Sequence, residues 1–410
     1  MLQEVHVGHK FLADYQSVVV RPLIEEIREL AAELRGARVL HVNATSFGGG
    51  VAEILYTLVP LMRDIGLDAE WRIIMAEQEF YEGTKITHNA LQGNVIGLDA
   101  TQKQIYEHNN RLTAESMGKG FDFVVVHDPQ PLLLRHYAGD LGAKWIWRCH
   151  IDTSTPNQDV ADYLLPYIQE YDTALFTLED YVFKGLDIPI RVVAPAIDPL
   201  STKNMALSPE DADYVVSQFG VEADRPLLLQ ISRFDPWKDP LGVIDAYRIV
   251  KKEFVSVRLA LVGSMATDDP EGWTFFTSTV EHAGDDSDIL ILSNLNNVGN
   301  LEVNAFQSRA DVIIQKSTRE GFGLTISEGL WKAKPTIGGN VGGIPQQIDD
   351  GETGYLVDSV EECAEKCMWI LDNPMDAKIM GRAGKEHVRA NYLTPRLLRD
   401  YLKIFTELKG

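Results

Sequence analysis

Short runs of β-branched and other apolar residues alternate along the chain with stretches whose apolar positions recur at helical spacing, and glycines fall between them. The runs at 37–43, 70–75, 121–127, 144–149, 174–177 and 191–194 are too uniformly apolar for strands with one wet face. They predict strands buried on both faces of a parallel sheet. After Pro195 the texture changes to a linker-like stretch, 196–208, carrying Pro199, Ser201, Thr202 and Asn204. Ser208-Pro209-Glu210-Asp211 then predicts a helix start: a capping hydroxyl, proline at the first helical position and early carboxylates.

A second strand-and-helix series follows. Its predicted strands are 226–232, 258–262, 288–292, 311–315, 335–337 and 354–357, with helices at 241–252, 324–331 and 375–391 and a terminal helix at 395–408. The fold class is therefore α/β: two Rossmann-like, doubly wound parallel-sheet domains facing a central cleft. The expected division is 1–198, joined by the terminal segment 395–410, and 199–394. In such sheets ligands bind where strands run out into loops at their carboxyl ends, so chemistry is sought there.

Composition narrows the partners. A length of 410 residues allows roughly two or three domains. The balance of 38 Lys+Arg against 60 Asp+Glu, net −22, with no basic run, argues against nucleic acid or an anionic membrane surface. No apolar stretch reaches the ~20 residues of a membrane span, and residues 1–10 have no signal core, so a cytoplasmic protein is expected. Three cysteines form no disulfide framework. Cys363 and Cys367 have no further ligand nearby for a metal, and Cys149 reads as core rather than nucleophile.

Three clusters could carry chemistry. Ser46-Phe47-Gly48-Gly49-Gly50-Val51-Ala52-Glu53 follows a strand and opens a helix, which lets backbone approach an anionic ligand. It is neither G-x-G-x-x-G nor a P-loop, leaving a dehydrogenase or ATPase little room. Ser232-Arg233-Phe234-Asp235-Pro236-Trp237-Lys238 sets a guanidinium and an ammonium in one strand-end loop, either a diphosphate clamp or two solvated charges. Glu320-Gly321-Phe322-Gly323-Leu324-Thr325-Ile326-Ser327-Glu328 places glycines at a helix start, suiting a phosphate or a ring of sugar hydroxyls. Glu328, about two turns on, could accept from the vicinal hydroxyls of a ribose or be a solvated helix residue. The adjacent pairs Asp268-Asp269 and Asp349-Asp350 read as turn residues, not metal ligands.

Glu-x7-Glu at 320 and 328, Arg233 with Lys238, the Gly48–Gly50 loop and Gly342-Gly343-Ile344 together resemble retaining glycosyltransferases of family 4, which have the GT-B fold. Longer strings resemble, more narrowly, the glycosyltransferring trehalose synthases: HVNATSFGGGVAEIL, HNALQGN, VHDPQP, WRCHID, SRFDPWK, DDPEGW, VNAFQ and REGFGLT. The resemblance implies transfer of glucose, with retention, from UDP-glucose or ADP-glucose to free glucose, giving trehalose, without a bound metal. It implies Arg233 and Lys238 on the diphosphate, Glu328 on the ribose, and Glu320 with Gly321, Phe322, Gly323 and Leu324 on the transferred glucose. Gly49 and Gly50 would close over the donor, His150 would contact its sugar, and His127, Asp128, Gln130 and Asp152 would orient the acceptor. Glu320, His150, Arg233 and Lys238 are the expected catalytic set. Partners are small molecules, with neither nucleic acid nor membrane, and a homodimer is left open. A related enzyme with a sugar phosphate or glucan acceptor, using basic residues among Arg63, Arg72, Lys85, Arg135 and Arg148, stands as the alternative, as does a non-catalytic sugar-nucleotide binder.

Overall fold

A computed structural model of the chain describes residues 1–47, 49–265 and 270–410, the side chains of 270 and 271 excepted. Gly48 and the pair Asp268-Asp269 therefore lie outside the described residues. The chain divides into two compact units, Met1–Ala196 with Thr394–Gly410, and Ile197–Leu393.

The first unit holds β1 (Leu2–Glu4), β2 (Arg38–Asn43), β3 (Asp68–Ile74), β4 (Phe123–His127), β5 (Lys144–Arg148), β6 (Thr173–Phe176) and β7 (Ile190–Val192). They form one sheet in the order β1-β3-β2-β4-β5-β6-β7. The pairings of β2 to β7 are parallel. All six predicted strands of this series are present, shifted at their ends by a residue or two. The edge strand β1 was not predicted. It has three mostly exposed residues and lies antiparallel to β3, so a distant partner and no local pattern places it.

One face of this sheet buries Leu40, Val42, Val124, Val126, Trp145 and Trp147 with Phe80 and Tyr106. On its other face Phe123 packs with Phe405, centroids 4.5 Å apart, from the terminal helix Thr394–Lys409. That helix is fastened at both ends: Arg396 donates to the carbonyls of Ala194 and Pro195 at 2.8 Å, and Glu407 pairs with Arg191 at 2.8 Å.

The second unit contains β8 (Leu227–Ile231), β9 (Arg258–Gly263), β10 (Ile289–Ser293), β11 (Val312–Gln315), β12 (Thr336–Gly339) and β13 (Tyr355–Val357). Their order is β10-β9-β8-β11-β12-β13, and their pairings are parallel. The chain winds outward from β8 and then reverses to start again at β11, so the switch point lies between these two strands. Cys363 and Cys367 are buried in this unit's core beside Tyr247 and Ile370.

Ser208 accepts from the Asp211 amide at 3.0 Å and caps helix Pro209–Ser217, as its sequence predicts. The expected linker before it is not slack. Asn204 is buried, donates to the Asp198 carbonyl at 3.1 Å and accepts from Lys332 at 3.0 Å. Turn-forming residues mark a loop without telling whether water or protein satisfies its polar groups. No described helix is long and apolar enough to cross a membrane.

Candidate active site

At the switch point of the second unit, the loops leaving β8 and β11 are strapped together. The Thr318 amide donates to the Trp237 carbonyl at 2.8 Å, and the Thr325 hydroxyl to the Ile231 carbonyl at 3.2 Å. Asp235 and Asp239 turn the first loop: Asp235 accepts from the amides of Trp237 and Lys238, and Asp239, at φ 49°, caps helix Pro240–Glu253. The geometry brings Lys238 Nζ to 2.5 Å from Glu320 Oε2, with Ser317 Oγ at 3.2 Å from the same oxygen. Both side chains of the ion pair are mostly buried, at 16% and 11% exposed. Arg233 differs: its guanidinium is 58% exposed and leans on Asp235 at 3.2 Å.

The glycine loop of Glu320–Gly323 is held from below. Gly323 has φ 83° and begins helix Leu324–Trp331, a conformation few side chains adopt. At Gly343 a Cβ would stand 2.6 Å from the Gly321 carbonyl oxygen and 2.8 Å from Phe322 Cα, so only glycine lets these loops meet. Gln347 donates to the carbonyls of Phe322, at 2.5 Å, and Gly323, at 3.4 Å. The Phe322 ring is buried against Tyr392, so any ligand contact it makes is through backbone. By construction the first N–H groups of the helix beginning at Leu324 have no acceptor within it, and its positive end favours an anion.

Glu328 is the fifth residue of that helix, just over one turn in, and it is wholly buried, unlike a solvated helix glutamate. Its oxygens meet Lys203 Nζ at 2.8 Å and Gln307 Nε2 at 2.9 Å. Burial by itself would raise its pKa; the charges of Lys203 and Lys332 and the hydrogen bonds of Lys203 and Gln307 outweigh it and hold the carboxylate below its ordinary value. Lys332, half-buried beside it, is pushed down to about 7 by desolvation, Glu328 opposing.

In the first unit, Gly49 caps helix Gly50–Asp64 in extended backbone, and a Cβ on it would meet nothing within 4 Å. Neither conformation nor protein packing requires a glycine there, so the space beside this helix start is open. Asp128 follows β4 at φ 63°, an uncommon conformation for a side-chain residue. It is tied to β5 through its amide on the Arg148 carbonyl at 2.8 Å, its carbonyl on Trp147 Nε1 at 3.0 Å and its carboxylate on the His150 amide at 2.8 Å. His127 Nδ1 lies 3.0 Å from His150 Nε2. Asp152 holds its own turn, accepting from the Ser154 amide at 2.9 Å and hydroxyl at 2.6 Å. Gln130 is half-buried, its carbonyl taken by Asn110 at 3.1 Å.

The structure thus joins Lys238 to Glu320, and His127 and Asp128 to His150. It turns Arg233 toward Asp235 and closes Glu328 off from solvent. Sequence reasoning missed Lys203, Gln307, Gln347, Ser317 and His41. His41 and Gln307 lie in strings already singled out, whereas Lys203 sits in the supposed linker. Among the expected basic candidates, Arg63, Arg72, Arg135 and Arg148 are spent on the carbonyls of Ala69, Met117, Gly139 and Val193. Cys149 is buried and its thiol pKa is raised, which makes it core. Asp349 and Asp350 hold a turn through Thr353 and Leu356. Among the described residues no three His, Cys, Asp or Glu side chains are grouped to hold a metal.

Burial lowers His41 to about 3 and His127 and His150 well below their ordinary value, Arg148 adding to the latter two; burial also raises Asp128 to about 6. The histidines must gain protons on unfolding, so stability is lost as pH falls below about 6.5. Asp128 acts oppositely, being better protonated in the fold between about 4 and 6. The expected net loss from pH 6 to pH 5 is about 1–3 kcal/mol. Urea unfolding at both pH values checks this; unchanged or greater stability at pH 5 contradicts it.

Residues 41–183 match the family model described as trehalose synthase, N-terminal domain, and residues 216–387 that of glycosyl transferases group 1. The chain is 60% identical to a trehalose synthase of Rubrobacter xylanophilus over the whole of both chains. It is 45% identical to one of Pyrococcus horikoshii over 100% of this chain and 99% of that one. Among solved structures, sucrose-phosphate synthase from Thermosynechococcus elongatus superposes with TM-score 0.72 at 15% identity, covering 91% of this chain and 99% of that one. An Anabaena HepE protein solved with UDP and glucose gives TM-score 0.68 at 13% identity, covering 90% and 100%. These two likenesses are of fold, and the fold is GT-B.

Proposed function

The chain belongs to the trehalose synthase family of glycosyltransferases, and on that premise we propose a retaining glucosyltransferase that makes α,α-trehalose reversibly from a nucleoside diphosphate glucose and free glucose. UDP-glucose or ADP-glucose is the donor, taken by the unit of residues 197–393, and the loops of the other unit take the acceptor. The observation that carries the reading is the contact of Lys238 with Glu320 at adjacent strand ends of a switch point. Breaking a glycosyl–phosphate bond builds negative charge on the leaving diphosphate, and a preorganised cation there lowers the barrier. Before the donor arrives, Glu320 neutralises Lys238. A diphosphate replaces it as counter-charge and frees the carboxylate to accept from hydroxyls of the transferred glucose.

Arg233, exposed and leaning on Asp235, adds a second cation. The start of helix Leu324–Trp331 and the backbone from Gly321 to Leu324 receive phosphate and sugar oxygens. Gly49 leaves room for the donor to approach the helix that begins at Gly50. Glu328 takes the ribose hydroxyls after the Lys203 side chain moves off its carboxylate. His150 contacts a sugar hydroxyl, and His127, Asp128, Gln130 and Asp152 shape the acceptor loop. In the step itself the C1–O bond to phosphate breaks as C1 bonds the acceptor oxygen on the same face, and the acceptor's proton passes to the departing phosphate. Positive side chains do the work a metal does elsewhere.

Incubation with glucose and each nucleoside diphosphate glucose is expected to give a non-reducing disaccharide and free nucleoside diphosphate. Product only with a sugar phosphate or maltose acceptor would move the chain to the related glucosyltransferases. Calorimetric binding of donor with no product on any acceptor would make it a binder.

A further inference from the structure

Behind His150 stand two more histidines on neighbouring strands. His41 Nδ1, on β2, is 3.0 Å from His127 Nε2, on β4, whose Nδ1 is 3.0 Å from His150 Nε2, just past β5. The ring centroids are 5.3 Å apart at both steps, with planes inclined by 30° and 14°. A nitrogen-to-nitrogen contact of this length plus two ring radii accounts for that spacing, so the imidazoles join end to end in hydrogen bonds. His41 and His127 are wholly buried and His150 is half-buried. Burial keeps all three neutral.

A neutral imidazole carries one N–H and one bare nitrogen, so three in series hold their protons in only two ways. If His41 Nδ1 donates, His127 must donate from Nδ1 and His150 presents Nδ1–H outward. If the order reverses, His41 carries its proton on Nε2. That nitrogen is buried and has no hydrogen-bond partner among the described residues. A buried N–H without an acceptor is rarer in proteins than an acceptor without a donor, which selects the first order. We infer that His41 and His127 are positioning residues that fix His150 in the Nδ1–H tautomer, so that it meets a substrate oxygen as a hydrogen-bond donor. The inference rests on the sugar contact proposed for His150.

Nitrogen-15 NMR of histidine-labelled full chain reads the tautomers directly, with single-histidine replacements assigning the signals. The expected spectrum has His150 protonated at Nδ1 and bare at Nε2. His41→Leu removes the terminal donor, so it should shift part of His150 to the other tautomer and lower kcat about tenfold, the worth of one hydrogen bond. His41→Asn, whose amide nitrogen stands where Nδ1 stood, should restore the tautomer and most of the rate. A wild-type His150 protonated at Nε2, or a His150 tautomer unmoved by His41→Leu, would overturn the inference without needing any variant to be active. Unchanged turnover in His150→Ala, with the spectra as expected, would overturn the substrate contact and leave the histidine series standing.

Discussion

Lys238→Ala is expected to lower kcat by about 10²–10³-fold, the loss typical of removing one preorganised charge stabiliser from a reacting centre. The side chain lies in a loop whose backbone is held independently by Asp235, Gln230 and Thr318, so the fold should survive. A circular dichroism melt separates the two effects. Glu320→Gln should fall in the same direction, since an amide accepts hydroxyl hydrogen bonds less strongly than a carboxylate. The single losses should not add. With Lys238 gone, Glu320 loses that ammonium where a diphosphate must bind, and donor KM rises as well. The double variant, lacking that repulsion, should recover donor KM while kcat stays low. Near-normal turnover in both single variants would remove these residues from the mechanism, whatever the family.

Glu328→Gln should cost about 3 kcal/mol of stability, at the low end for removing one partner of a buried ion pair. Lys203 is 16% exposed and can swing partly toward water, which limits the penalty, whereas Lys332, half-buried and desolvated, loses the carboxylate that opposed its loss of charge. Urea unfolding reads this term. Donor affinity reads another: if the carboxylate takes the ribose diol, binding of the nucleoside diphosphate should weaken about tenfold at a temperature where the variant is folded. Lost stability with unchanged donor affinity would make Glu328 purely structural.

The residues behind these variants show what was legible in the chain. Strand and helix identities came from local signals: uniform apolar runs, the Ser208 cap, and glycines at strand ends. Thus the predicted helix 324–331 coincides with Leu324–Trp331. The edge strand β1 had no such signal, because three residues carry no periodicity. Glu320, Lys238 and His150 stood out as candidates through residue type and position in unusual strings. The state of Glu328 was not readable. A helix position one turn from a glycine start looks the same in sequence whether it faces water or a lysine from a supposed linker.

By itself, the sequence determined most of the elements, the parallel α/β class, a set of candidate residues for a sugar nucleotide and the family the chain belongs to. These follow from periodicity and residue chemistry, which act over a few positions. Only the tertiary structure decided which polar side chains meet. Lys238 and Glu320 are 82 positions apart, and His41 and His127 86. Strand order brings each pair to adjacent strands, where a few ångströms and the exclusion of water set protonation and partner.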